Sequence, residues 1–242
     1  MQQTEGDLFI NKYPYKRIYH NKLITFINKV LFFLRIRYQL QPLPNPMIEM
    51  NTIEQRINFF HLLKSVLDFK VPGDIIEFGC YTGQCATLFQ KVIADYDPDR
   101  KLLLFDSFEA KFTDNINVEK ELELNFERAH LNKPILIKGR FEATVPQKLP
   151  IQIAFAHIDC GGGHEVEDHK KLILFLLNHI YPRLTAGAIV FFMDYTDKEK
   201  GHDVTEYYPG VKQACDVFFA DKPESVIPLY GNQLPAGYVR KV

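Results

Sequence analysis

The sequence predicts an α/β fold, in which a doubly wound and mainly parallel sheet carries helices on both faces. Strand-like apolar runs alternate with stretches of helical periodicity, and this alternation is typical of parallel strands joined by crossover helices. The last run, 237–241, closely follows a turn at 230–235, so it is predicted to be antiparallel to its neighbour. The predicted strands are 74–79, 101–106, 134–138, 151–159, 187–194 and 225–229, and the predicted helices include 84–96, 118–130, 168–181 and 211–220.

Length and charge indicate one sizeable domain that binds small ligands. The chain has 242 residues, 46% of them hydrophobic, and a formal net charge of −1. A general nucleic-acid binder needs a basic surface to displace counterions from phosphates, so this charge disfavours that class. We therefore expect a small-molecule partner and no nucleic acid.

The cysteines and the first residues predict a cytoplasmic setting. Cys80, Cys85, Cys160 and Cys215 form neither a C-x-x-C pair nor a Cys/His cluster at zinc-ligand spacing. This pattern argues against a disulfide framework and against a structural zinc. The first seven residues lack the charged start and apolar core of a secretion signal, so no secretion is expected.

Residues 1–49 are predicted to form a basic, helical extension of the domain at 50–242. Residues 1–41 carry seven Lys and Arg against two acids, a balance of +5, so the total of −1 leaves −6 for the remainder. The three prolines within 41–46 remove backbone donors and force extended geometry, which ends any helix there.

Within the extension, residues 23–34 are predicted to form a helix with an apolar face. Asn28 and Lys29 interrupt the apolar run well short of the length of a membrane span. Two interpretations remain open. The helix packs on its own domain or on a second subunit, which favours a homo-oligomer, or it lies on an anionic membrane surface.

A second helix is predicted directly after the proline segment. Asn51 or Thr52 suits an N-cap, and Glu54 and Gln55 fall in the first turn. We expect this helix to bring its N-terminus close to the ligand. Its predicted apolar face consists of Ile53, Ile57, Phe60, Leu63 and Leu67.

Two strands and the turn between them indicate a nucleoside site. Residues 74–83 form an apolar strand that ends in an acid and opens into a glycine turn, and the next strand ends at Asp106, 23 residues after Gly83. Such a turn lets the backbone approach a ligand, and the second acid accepts hydrogen bonds from ribose hydroxyls. The third glycine of the dinucleotide fingerprint is absent, which disfavours NAD.

Further motifs, in order along residues 50–242, resemble the macrocin O-methyltransferase (TylF-like) family. They are 72–79, 105–109, 138–141, 158–159, 181–184, 186–187 and 194–195. The resemblance implies a Rossmann-like sheet of seven strands and S-adenosylmethionine as the methyl donor. It also implies O-methylation of a sugar hydroxyl on a small metabolite, and its better-known members use magnesium.

The resemblance implies a role for each motif residue. Asp106 would hold the ribose, and Asp159 would contact the ammonium group of the cofactor. The loop residues Glu77, Gly79, Tyr81 and Gly83 would shape the pocket for the methionine moiety. Ser107 and Phe108 would border the adenine, and Gly139, Arg140 and Phe141 would close over it. A core role is the alternative for Phe108 and Phe141.

The chain departs from the family at the catalytic acids. Where the family has Asp-x-Asp after the fourth strand and Asp-Asp-Tyr after the fifth, this chain has Asp159-Cys160-Gly161 and Met193-Asp194-Tyr195. Asp159 and Asp194 remain as candidate ligands for Mg²⁺, which keeps much of its water shell and needs few protein oxygens. Hydrogen bonding to ligand or loop amides is their alternative role.

The general base must also come from elsewhere, because position 161 is a glycine. His164, in a loop with three consecutive glycines, is our candidate, since imidazole titrates near neutral pH. A solvated surface histidine is the other interpretation, and Asp159 is the second candidate catalytic residue. Three functions follow as hypotheses: a metal-assisted O-methyltransferase, a methyltransferase without metal, and a non-catalytic cofactor-binding or scaffolding protein.

Overall fold

Seven strands of the described chain lie in one sheet. The computed structural model describes residues 9–10, 12, 14–15, 22–40, 50–109, 116–160, 165–200, 208–229 and 235–242. The strands are β1 (Asp74–Phe78), β2 (Leu102–Asp106), β3 (Ile135–Lys138), β4 (Ile153–Ile158), β5 (Leu184–Met193), β6 (Ile227–Leu229) and β7 (Ala236–Arg240). Their order is β3-β2-β1-β4-β5-β7-β6, and β7 runs antiparallel to both β5 and β6. The predicted Rossmann-like sheet and its antiparallel last strand are confirmed.

Helices connect most of the strands. They are α1 (Lys22–Phe33), α2 (Ile53–Asp68), α3 (Gln84–Tyr96), α4 (Val118–Arg128), α5 (Phe141–Lys148), α6 (Val166–Ile180) and α7 (Pro209–Phe219). The sequence analysis did not single out α5. This helix has only eight residues and contains Pro146, so it has little of the apolar periodicity by which a helix is recognised.

Both faces of the sheet are covered, which explains its continuous apolar strands. All residues of β2 and β4 are buried. Successive side chains of a strand point to opposite faces. Phe191 of β5 packs on Phe59 of α2, with ring centroids 4.8 Å apart, whereas Phe192 packs on Phe219 of α7 at 6.4 Å. The core therefore continues through the sheet from one helical layer to the other.

The N-terminus of α2 lies beside that of α3. Thr52 is the N-cap, and with Gln55 it forms a complete capping box. Just before it, the Met50 amide donates to the Gln84 side chain (2.7 Å), and Cys85 Sγ donates to Asn51 Oδ1 (3.4 Å). These contacts place the start of α2 at the edge of the sheet where β1 ends.

The apolar face predicted for α2 is partly wrong. Ile53 and Ile57 are 37% and 38% exposed, whereas Phe59 and Val66 are fully buried. Arg56 is fully buried as well, because its Nε donates to the Ile10 carbonyl (2.7 Å) and its Nη2 to the Tyr15 carbonyl (2.8 Å). The helix is therefore rotated about its axis relative to the predicted orientation, and its buried side also binds the start of the chain through Arg56.

Helix α1 buries none of its residues. It contrasts with Phe9, which is buried against Tyr15 and Phe60. The first described residues are thus held on the domain. Among the described helices, none is both long and apolar enough to cross a bilayer.

Candidate cofactor and catalytic site

The turn after β1 approaches the neighbouring strand more closely than a side chain would allow. Gly79 has φ +80°, and a Cβ placed there would lie 1.9 Å from the Asp159 carbonyl oxygen. Backbone hydrogen bonds fix this geometry, since Gly79 donates to the Phe105 carbonyl and Asp159 donates to the Phe78 carbonyl, both at 2.9 Å. Gly83, at φ +77°, begins α3. The two glycines thus occupy backbone conformations that favour glycine.

Asp106 organises this turn. Its Oδ2 accepts from the Cys80 and Tyr81 amides (2.9 Å each), and its Oδ1 accepts from the Phe108 amide (2.7 Å). A buried carboxylate without a partner costs several kcal/mol. Three backbone amides serve as its partners, and they hold the β1 and β2 loops in one arrangement. Contact with a ribose stays a prediction.

The end of β3 joins the same cluster. Gly139, at φ +140°, donates to the Asp106 carbonyl (2.9 Å), and Arg140 is the residue before α5. Phe141 and Phe108 are partly buried against the core, and the Phe141 ring meets Phe78 edge-on with centroids 5.7 Å apart. Ser107 Oγ accepts from the Glu109 amide (3.2 Å). The structure therefore brings the predicted adenine-side residues to one end of β2 and β3.

A buried Glu–His pair lies beneath the turn, and the sequence analysis missed its histidine. Glu77 of β1 and His157 of β4 are register partners, with Oε1 and Nδ1 2.9 Å apart. Burial raises the pKa of Glu77 well above its ordinary value, and the charge of Asp106 adds to this; burial lowers the pKa of His157 to about 4. His157 is therefore uncharged at neutral pH.

The pair is enclosed by aromatic rings and retains unused polar atoms. The rings of Phe59, Phe89 and Phe191 surround His157 with centroids 5.0 to 5.6 Å away. Among the described residues, Glu77 Oε2 and His157 Nε2 have no hydrogen-bond partner, and Thr82 Oγ1 in the turn also lacks one. Two polar residues at matching positions of adjacent apolar strands were the available sequence signal for this pair.

Cys85 extends this polar cluster. A ligand atom from each of Glu77, Cys85 and His157 lies within 4.8 Å of the other two. The Cys85 thiol donates to Asn51, and the other two residues pair with each other. We therefore interpret the three as a packed polar cluster that joins β1 and β4 to α3.

Asp159 and Asp194 stand at the ends of adjacent strands, β4 and β5. Burial raises the pKa of the Asp159 carboxyl to about 7; the charge of Asp194 adds to this rise, while His157 opposes it. Asp194 has φ +60°, a left-handed conformation that is uncommon for residues other than glycine. A carboxyl group with a pKa near 7 suits a general base, because it is partly ionised at the working pH.

The side chains of Cys160, Tyr195 and Met193, which neighbour Asp159 or Asp194 in the sequence, do not act as a base at neutral pH. Burial raises the pKa of the Cys160 thiol and of the Tyr195 hydroxyl, so both remain protonated at neutral pH. Met193 is buried and its Sδ accepts from the Gln55 side chain (3.7 Å). A thioether contributes nothing to a hard cation. The proposed base His164 lies outside the described residues.

The order of consecutive strands in the sheet reverses between β1 and β4, so the carboxyl ends of these two strands form its switch point. From β1 the chain continues to β2 and β3 on one side, whereas β4, β5 and β7 lie on the other. Open α/β sheets bind their ligands at such a point. The turn at Gly79, the Glu77–His157 pair and Asp159 all lie there.

The sequence matches one protein family over most of its length. The sequence model described as Macrocin-O-methyltransferase (TylF) matches residues 35–217. Mycinamicin III 3''-O-methyltransferase from Micromonospora griseorubida is 26% identical in an alignment of 174 residues, and the match covers 62% of this chain. The aligned segment covers 66% of that enzyme, just under two thirds of its length.

Solved structures share the fold. The O-methyltransferase NovP superposes with a TM-score of 0.63 and 21% identity, covering 80% of this chain and 83% of NovP. The TDP-rhamnose 3'-O-methyltransferase CalS11 of calicheamicin biosynthesis superposes with a TM-score of 0.58 and 22% identity, covering 93% and 96%. Because the family match covers more than half of the chain, the protein belongs to the macrocin O-methyltransferase (TylF) family.

Proposed function

We propose that the protein transfers a methyl group from S-adenosylmethionine to a hydroxyl of a sugar or glycosylated metabolite. Two similar proteins support this acceptor class by their names, one for 3'-O-methylation of TDP-rhamnose and one for 3''-O-methylation of mycinamicin III. The observation that carries the proposal is the position of Asp159. This carboxyl, with a pKa near 7, lies beside the glycine turn at the switch point of the sheet.

The residues around the turn fit the methionine end of the cofactor. Its ammonium and carboxylate groups need polar partners, and Glu77 Oε2 and Thr82 Oγ1 are buried polar atoms that lack them within the described chain. The backbone at Gly79 carries no side chain that would block this approach. When bound, S-adenosylmethionine supplies an electrophilic methyl group on a sulfonium centre. Asp106 would accept from the ribose hydroxyls while it keeps the turn in place.

Asp159 would act on the acceptor. The Asp159 carboxylate would take the proton of the acceptor hydroxyl. The bound cofactor would supply the methyl group and leave as a neutral thioether, S-adenosylhomocysteine. Positioning of the hydroxyl in line with the methyl group supplies much of the remaining rate gain.

We infer that a magnesium ion, where one is used, is held by Asp159 and Asp194. Their charges repel each other, and a divalent cation would relieve that repulsion. The ion would lower the pKa of the acceptor hydroxyl, and His164 is then the candidate base. Removal of divalent ions with EDTA tests this inference: unchanged turnover would contradict a metal, and a loss restored by Mg²⁺ would support it.

We also infer a cytoplasmic location, because the absence of zinc-ligand or paired cysteine spacing supports a reducing compartment. A homo-oligomer formed through the apolar side of the extension is the expectation from the sequence, and it competes with a membrane surface for the same side chains. Cell fractionation tests the location. Sedimentation velocity of the full chain tests the association, and a species of monomer mass would contradict it.

Turnover with defined acceptors tests the function. The protein is incubated with S-adenosylmethionine and a panel of TDP-sugars and glycosylated macrolides, and S-adenosylhomocysteine formation is measured with and without Mg²⁺. Methylation at a sugar hydroxyl is the expected result, confirmed by mass spectrometry of the product. Cofactor binding without turnover on any acceptor would instead favour a non-catalytic binding protein.

A further inference from the structure

Helix α1 exposes one continuous apolar side. Phe26, Val30 and Phe33 follow one another at spacings of four and three residues, so they lie on the same side of the helix. Phe26 and Phe33 are 64% and 84% exposed. Leu23 and Leu34, which are also more than half exposed, extend this side at both ends. A set of large apolar side chains left in water is typical of an interaction surface.

The charges around this side all have one sign. Residues 8–48 contain seven Lys and Arg and no Asp or Glu. Two of the cations, Lys22 and Lys29, lie on the helix itself, and Arg35 and Arg37 follow it directly. Lysines and arginines beside an apolar helical face are typical of helices that lie in the interface of an anionic bilayer.

The segment after the helix is held in a defined arrangement. Arg35, at φ +56°, ends the helix in a Schellman motif, with the Ile36 amide donating to the Leu31 carbonyl (2.9 Å). Leu40 then returns to the helix, where its amide and carbonyl each bond the Asn28 side chain at 2.8 Å. Residues 22–40 therefore form one unit. Its exposed residues after the helix include Ile36 and Tyr38.

Residues that precede this unit attach the start of the chain to the domain. Phe9 and the carbonyls of Ile10 and Tyr15 already attach the start of the chain to α2. Twelve helical residues measure about 18 Å, well short of the roughly 30 Å hydrocarbon core. The helix would therefore lie along a bilayer surface.

We propose that residues 22–40 bind the surface of a membrane that contains anionic lipids. Phe26, Val30 and Phe33 enter the boundary between headgroups and acyl chains, and Lys22 and Lys29 contact the lipid headgroups. A second copy of the chain is the other possible occupant. Packing of two such helices against each other would bring two copies of residues 22–40 together, each with a charge of +4, and their repulsion disfavours that contact.

Vesicle flotation of the full-length protein tests the proposal. Vesicles of phosphatidylcholine alone are compared with vesicles that also contain phosphatidylglycerol, over a series of salt concentrations. We expect binding to the anionic vesicles only, with an affinity that falls as salt rises. Phe26→Ser should weaken that binding by about tenfold, the scale expected for one buried aromatic side chain.

Phe32→Ser is the matched control. Phe32 is 86% exposed but lies two residues from Val30, so it is on the opposite side of the helix from the middle of the apolar side. Its substitution should leave vesicle binding nearly unchanged. Lys22→Gln with Lys29→Gln should weaken binding to anionic vesicles without removing an apolar side chain.

Three results would overturn the proposal. The first is that the wild-type protein stays in solution with anionic vesicles. The second is equal loss of binding for Phe26→Ser and Phe32→Ser. The third is that Phe26→Ser splits an oligomer in sedimentation velocity without any change in vesicle binding, which would assign the surface to a second copy. Calorimetric binding of S-adenosylhomocysteine checks that each variant is folded.

Discussion

At the scale of single residues, Gly79 is the described glycine that tolerates an added side chain least. A Cβ there would meet the Asp159 carbonyl oxygen at 1.9 Å, and the backbone has φ +80°. We predict that Gly79→Ala lowers the free energy of unfolding by more than the roughly 1–2 kcal/mol of the left-handed conformation alone. It should also abolish cofactor binding, because β1 and β4 must separate. Urea denaturation and calorimetry with S-adenosylhomocysteine measure the two effects.

Gly187→Ala is the control for that substitution. Gly187 has φ +84°, but among the described residues its added Cβ would meet only the Val71 side chain, at 3.2 Å. We expect a loss of about 1–2 kcal/mol from the backbone strain and an unchanged cofactor affinity. Equal effects of the two variants on cofactor affinity would contradict the special role of Gly79.

The raised pKa of Asp159 predicts how the reaction rate depends on pH. With a pKa of about 7 in the free protein, its carboxyl group becomes a proton acceptor as the pH rises. We predict that kcat/KM increases with pH and levels off above about 7. Asp159→Asn should remove this inflection and slow turnover by roughly a hundredfold or more. An unchanged profile in Asp159→Asn, together with its loss in His164→Ala, would transfer the role to His164.

At the scale of elements, the capping box of α2 connects stability to the site. The Thr52 hydroxyl oxygen accepts from the Gln55 backbone amide, and the Gln55 side-chain oxygen accepts from the Thr52 backbone amide. We predict that Thr52→Ala costs about 1 kcal/mol in urea denaturation. Because the start of α2 bonds Gln84 at the beginning of α3, cofactor affinity should fall as well.

Asn117→Ala provides the comparison for α2. Asn117 caps α4 through one hydrogen bond to the Lys120 amide (2.9 Å), and its stability cost should be similar. Cofactor affinity should change less than in Thr52→Ala. If it changes more, the link between the α2 cap and the site is wrong.

The elements also separate the features that periodicity predicts from those that packing decides. The apolar strands β1, β2 and β4 and the helix α3 were predictable from their residue patterns. The buried face of α2 was not, because Arg56 became buried once distant carbonyls of residues 10 and 15 accepted from it. A residue pattern within one helix carries no information about such a distant partner.

At the scale of the whole molecule, the buried acids make stability depend on pH. The pKa of Asp159 is about 7 in the folded protein against an ordinary value of 3.8. Between those values the folded state holds a proton that the unfolded state has released, so this group lowers stability as the pH rises. We therefore predict that Asp159→Asn gains stability over wild type as pH rises through this window.

Urea denaturation at about pH 5.5 and about pH 8.5 measures this effect, because the second value lies above the folded pKa. The advantage of Asp159→Asn should be larger at the higher pH. A constant difference at both pH values would show that Asp159 does not titrate in this range. If Asp159→Asn is more stable than wild type but inactive, Asp159 lowers the stability of the fold and is needed for activity, as is typical of catalytic residues.

The sequence by itself determined the order of strands and helices, the glycine turn, the acid at the end of β2 and the family. These features depend on local periodicity and on motifs within single segments. Only the tertiary structure decided which groups meet. It paired Glu77 with His157, satisfied Asp106 with loop amides, and raised the pKa of Asp159 beside Asp194. Partners, burial and local charge depend on contacts between distant segments, and a linear pattern does not contain them.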